Sequence, residues 1–492
     1  MERLYRKLEE YSRSDYYPFH MPGHKRNPES VRGEFPFERD ITEIEGFDNL
    51  HHPEDILLEA QQNVAKVYGV RESFYSVNGS TAALLAAISA AVPRNGEILV
   101  ARNCHKAVYH GIYLRNLKPT YIYPQMDNEW WINGGIFPDK VERCLAANPE
   151  IKAVLLTSPT YDGVVSDIRE IAEIVHRYEI PLIIDEAHGA HFHFSNYFPT
   201  SAAELGADLV IQSFHKTLPA MTQTAVLHNC SERVDSRLIR RFMGIYQTSS
   251  PSYILMASMD ACMDTMNTEG HQMFRNFTMM LEQTRKRLSK CKYIRLVEPQ
   301  IGENGVFDYD RSKLIFSTRY SSLSGTGLYH VLLERYHIQM EMESENYVLA
   351  IAAVGDSEEG FERLCQAIEE LNQEQITLTK DREEKGEELL DARSMHCVLT
   401  QMMSMADAME TESESCPLEE SVGRISAEFA YLYPPGIPLL TPGEQITGQF
   451  IRNMRIYMEK GLYLQGLDDY SNKSIRVVVP QAAKEQFEET DG

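Results

Sequence analysis

A disulfide framework, a membrane span and a basic surface are all missing from this sequence. Its 492 residues hold eight cysteines, Cys104, Cys144, Cys230, Cys262, Cys291, Cys365, Cys397 and Cys416, and no two form a Cys-x-x-Cys pair. Such sparse, unpaired spacing in a long chain points to reduced thiols. No apolar run approaches the roughly 20 residues that cross a bilayer. The start, MERLYRKLEEYSR, has no apolar centre of the kind a secretion signal needs. A cytoplasmic protein with no membrane partner is expected. Only 48 Lys and Arg stand against 72 Asp and Glu, a formal charge of −24, which argues against the clustered basic surface that nucleic acid requires. The same excess attracts a cationic small molecule, although acidity also serves solubility alone. What is present is apolar content, 43% of the chain, enough to bury a large core in two or three domains.

From about residue 53 the pattern alternates helix and strand. Ile56, Leu57, Ala60, Val64 and Val67 share one helical stripe, as do Ile168, Ile171, Ile174 and Val175. Apolar runs at Ile98–Val100, Ala153–Leu156, Leu182–Ile184 and Leu209–Ile211 are continuous, as strands covered by helices on both faces require. The spacing predicts an α/β fold with a mostly parallel sheet. Residues 1–52 read as an N-terminal segment, 53–310 as a large domain and 311–376 as a small α/β domain with a strand at Tyr347–Ala353 and a helix at Glu358–Leu371. The charged stretch Thr377–Glu388 reads as a linker that opens a C-terminal region, 377–492, within which the acidic patch Glu410–Glu414 is expected as a solvated loop.

Each apolar run is followed by polar, titratable residues: Arg102-Asn-Cys-His105, Thr157-Ser-Pro-Thr-Tyr-Asp162, Asp185-Glu-Ala-His188 and Ser213-Phe-His-Lys216. Ligands of open α/β sheets bind at the carboxyl ends of strands, so these four segments are expected to meet in one pocket. Lys216, directly behind a strand, is placed to be half-withdrawn from water, which lowers its proton affinity and lets it attack a carbonyl; taken alone, an exposed lysine opening a loop is the favoured reading, and Asp185 shifts the balance. Asp185, at the end of another strand, can keep a pyridine nitrogen protonated. Asn78-Gly-Ser-Thr81 leads into an alanine-rich helix, whose free amides and two hydroxyls suit a phosphate or provide a plain N-cap. His188, His191 and His193, like His20 and His24, resemble a metal tract, but no cysteine or carboxylate set with ligand spacing completes it, and no metal is expected.

Together these segments identify a resemblance. Phe19-His-Met-Pro-Gly-His-Lys25, Asn78-Gly-Ser-Thr81, Arg102-Asn-Cys-His-Lys106, Pro159-Thr-Tyr-Asp-Gly163, Asp185-Glu-Ala-His-Gly-Ala-His191, Gln212-Ser-Phe-His-Lys216, Ser250-Pro-Ser-Tyr253 and Tyr433-Pro-Pro-Gly-Ile-Pro438 resemble the ornithine/lysine/arginine decarboxylases of fold type I, in the shorter form without a wing domain. The resemblance implies a large domain of the pyridoxal-phosphate-dependent transferase type, a small α/β domain and a C-terminal α+β domain. It implies pyridoxal 5'-phosphate joined to Lys216, with Asp185 on the pyridine nitrogen, His105 stacked on one ring face and Ala187 on the other. Ser80, Thr81, Ser213 and His215 would contact the phosphate, and His188 the substrate carboxylate or the cofactor phenol oxygen. It further implies a homodimer or homotetramer with the site at the subunit interface, where Ser249, Ser250 and Ser252 reach the partner's phosphate. Phe214 departs from the threonine frequent in larger members and is expected to alter packing alone.

The expected reaction is decarboxylation of a basic amino acid. Arginine is favoured over lysine and ornithine by analogy with short forms of the family, and Glu444, in Thr441-Pro-Gly-Glu444, is the candidate partner for the substrate's cation. An aminotransferase or amino-acid aldolase would use the same lysine, aspartate and phosphate cup. A non-catalytic protein retaining the fold is the remaining alternative.

Overall fold

A computed structural model describes the chain except Met1, Asn128 and residues 379–397, 433–435, 460–463 and 481–492. The large domain is built on seven strands, β1 (Glu72–Ser76), β2 (Glu97–Ala101), β3 (Lys118–Ile122), β4 (Ile151–Thr157), β5 (Leu182–Asp185), β6 (Leu209–Ser213) and β7 (Ala225–Asn229), in the order β1-β7-β6-β5-β4-β2-β3. β7 is antiparallel to β1 and to β6, and every other pairing is parallel. Six strands therefore share one direction, and their carboxyl ends share one edge. The four continuous apolar runs fall on β2, β4, β5 and β6, and every residue of β5 and β6 is buried, as helices on both faces require.

Helices α1 (Leu4–Ser12), α2 (Ile56–Tyr68), α3 (Gly79–Ala91), α4 (Lys106–Arg115), α5 (Ile168–Arg177) and α6 (Tyr253–Thr268) surround this sheet. α3 lies close because its inward positions, Ala83, Ala86 and Ala87, are methyl groups with no exposure. α5 starts where Asp167 accepts a hydrogen bond from Glu170 N, and its stripe of Ile168, Ile171, Ile174 and Val175 is buried. The N-terminal segment is tied to the large domain: Leu4 and Leu8 are buried, Arg3 pairs with Asp264 at 2.9 Å, and Tyr5 donates to Asp264 at 2.9 Å.

The small sheet comprises β8 (Arg295–Leu296), β9 (Lys313–Ser317), β10 (Met342–Glu343) and β11 (Tyr347–Ile351), all antiparallel, in the order β8-β9-β11-β10. It takes up Arg295–Leu296, ahead of residue 311. Helices α7 (Gly325–Tyr336) and α8 (Glu358–Leu378) complete this domain, and α8 runs past Leu371 into the first residues expected as linker; the rest of that linker lies outside the described residues. In the C-terminal region β12 (Ser413–Pro417) pairs with β16 (Ser474–Val478), while β13 (Ala430–Leu432) sits between β14 (Ile437–Leu440) and β15 (Leu464–Gln465). The acidic patch is thus not a loop. Glu410 ends a helical turn and Glu414 stands in β12, although both carboxylates are exposed as expected. Among the described residues no helix is long and apolar enough to cross a membrane, and seven cysteines are free.

Candidate active site

At the shared edge of the strands lies a cavity of about 730 Å³. Lys216 reaches it from the short helical turn behind β6, Asp185 from the end of β5, Ala187 and His188 from the turn that follows, His105 from the start of α4, and Ser80 and Thr81 from the start of α3. Ser213 and His215 line it too. The four strand-end segments do converge.

Lys216 Nζ lies 3.0 Å from His188 Nε2. Burial depresses its proton affinity, against the opposing pull of Asp185. Asp185 is buried, and among the described residues Ala187 N, at 3.2 Å from Oδ1, is its one hydrogen-bond donor. Burial therefore raises its pKa despite Lys216 and that amide. A buried carboxylate so poorly served by the chain fits a cationic ring N–H. His105 caps α4 by accepting from Ala107 N at 3.2 Å, which leaves Nε2 as the protonated nitrogen of the neutral ring. Burial, then Lys216, pushes its pKa down to about 4.

The start of α3 distinguishes an anion cradle from a plain N-cap. Asn78 does not cap the helix; its Oδ1 accepts from Thr248 N at 3.2 Å. Gly79, at φ +70°, turns the backbone so that its own N–H donates to Gln223 O at 2.9 Å. The next amides are left uncapped by any side chain, beside a hydroxyl pair in which Ser80 Oγ and Ser213 Oγ are 2.6 Å apart. His215 donates from Nδ1 to Thr224 O at 2.8 Å and so presents Nε2 to a ligand. These residues fit the phosphate, ring and aldehyde of pyridoxal phosphate.

Glu444 is the predicted site residue that the structure does not bring to the cavity. It is fully buried, its Oε2 is 3.2 Å from Arg102 Nη2, and it accepts from Thr441 N at 2.7 Å. Arg102 already neutralises it, so the expected pairing with a substrate cation has no place there. Phe214 is buried against Tyr68, with ring centroids 6.2 Å apart, and leaves the polar residues beside it undisturbed. Ser249 and Ser250 are exposed outside the cavity, and Ser252 caps α6. Of the histidines weighed as metal ligands, His191 pairs with Asp310, His193 with Glu204, His24 with Asp40, and His20 with the Tyr11 hydroxyl.

Residues without a role in the sequence reading also line the cavity. Glu341 does so beside Tyr161, whose hydroxyl donates to it at 2.5 Å and whose ring meets that of His188 edge-on at 4.9 Å. Ile437 brings the C-terminal region to the rim, next to Gly436, whose carbonyl accepts from Lys106 N. Tyr161 lay within a flagged strand-end segment, whereas nothing in the local sequence marks Glu341.

Strand order and polarity define the class: this is the fold of the fold-type-I pyridoxal-phosphate-dependent enzymes. The fold is shared with the Escherichia coli constitutive lysine decarboxylase, at TM-score 0.82 and 20% identity over 97% of this chain and 82% of that one. It is shared more distantly with Sphingomonas wittichii serine palmitoyltransferase, at TM-score 0.53 and 14% identity over 68% of this chain and 82% of that one. Residues 3–312 match the family described as Orn/Lys/Arg decarboxylase, major domain, and residues 385–468 match its C-terminal domain. Arginine decarboxylase of Bacillus subtilis (strain 168) is 34% identical over 487 residues, 98% of each chain, and that of Bacillus anthracis is 32% identical over 482 residues, 96% of this chain and 97% of its own. The chain belongs to the Orn/Lys/Arg decarboxylase family.

Proposed function

We propose that this protein removes the α-carboxyl group of a basic amino acid, arginine in preference to lysine or ornithine, using pyridoxal phosphate held at Lys216. The observation that carries the reading is the meeting, in one cavity, of a deprotonation-prone lysine, an under-served buried aspartate and an uncapped helix start. Similarity along the whole chain to proteins named arginine decarboxylase supports arginine among the three substrates.

When bound, the cofactor supplies a ring that accepts the electron pair left by departing carbon dioxide. The chain's own residues do the rest. Burial lowers the proton affinity of Lys216 Nζ and so favours the neutral amine, the form that bonds to a carbonyl carbon. The Asp185 carboxylate holds a proton on the ring nitrogen, because a cation there relieves its burial. The α3 amides and the Ser80, Thr81 and Ser213 hydroxyls would receive the phosphate, and His215, its Nδ1 held by Thr224 O, would stand beside it through Nε2. His105 and the methyl group of Ala187 hold the two ring faces. His188 exchanges a proton through Nε2, the nitrogen nearest Lys216. Glu341 takes the substrate's cationic end in place of Glu444, its carboxylate held by the Tyr161 hydroxyl. We assign the protein to the cytoplasm and to a homodimer or homotetramer in which the exposed Ser249 and Ser250 face a second copy.

Borohydride reduction of the protein loaded with pyridoxal phosphate, followed by peptide mapping, is expected to label Lys216 and to label nothing in Lys216→Ala. Arginine is expected to yield carbon dioxide and agmatine faster than lysine or ornithine yields its own amine. A label on another side chain, or a keto acid as product, refutes the reading.

A further inference from the structure

Behind the cavity wall stands a second lysine. Lys313 opens β9 and is completely buried, a position that costs several kcal/mol for a charge without partners. Its Nζ is 3.7 Å from Asp310 Oδ2 and 3.4 Å from His188 Nδ1. The other nitrogen of that imidazole, Nε2, is the one 3.0 Å from Lys216 Nζ. A single ring thus bridges two lysine nitrogens, one in the cavity and one outside it.

The partners on the far side favour the charged form of Lys313 against its burial. Asp310 Oδ1 accepts from Ser312 Oγ at 2.7 Å and Ser312 N at 3.0 Å, and His191 Nε2 lies 3.2 Å away. Burial opposes the ionisation of Asp310, but His191, Lys313 and Ser312 outweigh it and hold the carboxyl well below the usual range. Burial lowers the proton affinity of Lys313, and the negative charge of Asp310, Glu341 and Asp162 opposes that loss. Burial, and then the neighbouring Lys216, Lys313, His105 and His191, hold the pKa of His188 well below the ordinary range and favour its neutral ring. A neutral imidazole has one N–H, and the structure leaves its position to the neighbours.

We propose that Lys313 is a positioning residue: its ammonium donates to His188 Nδ1 and so places the imidazole proton on Nε2, facing Lys216. Nε2–H then donates to the Lys216 lone pair, which favours the neutral amine, the form that attacks a carbonyl. The opposite tautomer would accept from Lys216 and favour the ammonium, which cannot attack. The tautomer stands independently of any cofactor; only its consequence rests on Lys216 being the cofactor's lysine.

Histidine-ring ¹⁵N spectra of the apoprotein, with the His188 signals identified by their loss in His188→Gln, read the tautomer directly. The expected result is Nε2–H in the native protein and in Lys313→Arg, which keeps the donor, with a shift toward Nδ1–H in Lys313→Met. Lys313→Met is also expected to raise the pH midpoint for capture of pyridoxal phosphate at Lys216 by about one unit, because a positive neighbour is removed, and Lys313→Arg to restore it. Nδ1–H in the native protein overturns the proposal, even if Lys313→Met does not fold. So does a folded Lys313→Met with the native tautomer and midpoint. Nε2–H in a protein that captures no aldehyde at Lys216 supports the Lys313–His188 pairing and overturns the cofactor assignment.

Discussion

Replacing Glu444 with alanine separates two roles for this residue, substrate ligand and internal clamp. Its side chain is 1% exposed and that of Arg102 is 7%, so the substitution strands a guanidinium out of reach of water. Breaking a buried ion pair by removing one partner costs about 3–5 kcal/mol. Arg102 keeps the carbonyl of Pro438 at 2.5 Å and the hydroxyl of Tyr109 at 2.9 Å, which favours the lower end, about 3 kcal/mol. The damage falls on the attachment of the C-terminal region, because Pro438 and Leu439, which also accepts from Arg102, belong to β14. A loss of about 3 kcal/mol raises the detached population roughly 150-fold. Amide hydrogen exchange checks this: protection in β14 is expected to fall by about that factor while β4 and β5 keep theirs. The double substitution Arg102→Met/Glu444→Met is expected to recover part of the loss, since neither charge is then stranded. Unchanged exchange in β14, with only the KM for arginine raised, would return Glu444 to the substrate and refute the reasoning.

His105→Phe keeps an aromatic face but neither caps nor titrates. It is expected to cost about 1 kcal/mol at pH 7 through the lost α4 cap. It also removes an acid sensitivity, because His105 has its pKa lowered to about 4 in the fold. The unfolded chain binds a proton below about pH 6.5 that the fold refuses, so the native protein loses stability on acidification through that window, by about 2 kcal/mol from this ring between pH 7 and 5. Urea midpoints of the two proteins at both pH values test the difference, and an equal acid response in both contradicts it. Glu341→Gln is expected to raise the KM for arginine about tenfold through loss of a charged acceptor, with kcat and the cofactor absorbance band kept. A lost band, or an unchanged KM, places Glu341 elsewhere than on the substrate's cation.

The sequence was most legible where local rules govern. Continuous apolar runs marked β2, β4, β5 and β6, and the polar groups behind them marked the cavity edge, because a strand must end before a side chain can turn over it. β1 and β7 left no such mark: Glu72-Ser-Phe-Tyr-Ser76 and Ala225-Val-Leu-His-Asn229 are interrupted by polar residues that the fold nonetheless buries, as where Ser73 Oγ and Gln212 Oε1 bracket the His228 ring at 2.8 and 3.2 Å. Lys313 was illegible for a similar reason. A lysine opening a strand ordinarily faces water, and although Asp310 is a near neighbour in sequence, only the tertiary fold buries the pair and sets His188 beside it. Glu444 was read too hopefully, since no spacing could reveal that Arg102, on the far side of the large domain's sequence, would already occupy it.

The reversed strand carries a consequence for biogenesis. β1 is an outermost strand whose one bonded neighbour is β7, encoded at Ala225–Asn229. As the chain leaves the ribosome, β1 has no strand to pair with until residue 229 has emerged, although Lys216 is already made. Long-range closure of this kind is slow, and until it happens the start of α3 is not anchored through β1. A chain interrupted between Lys216 and Asn229 carries the reactive amine without β1 in place behind its phosphate seat, so tight retention of the aldehyde marks molecules whose sheet is complete.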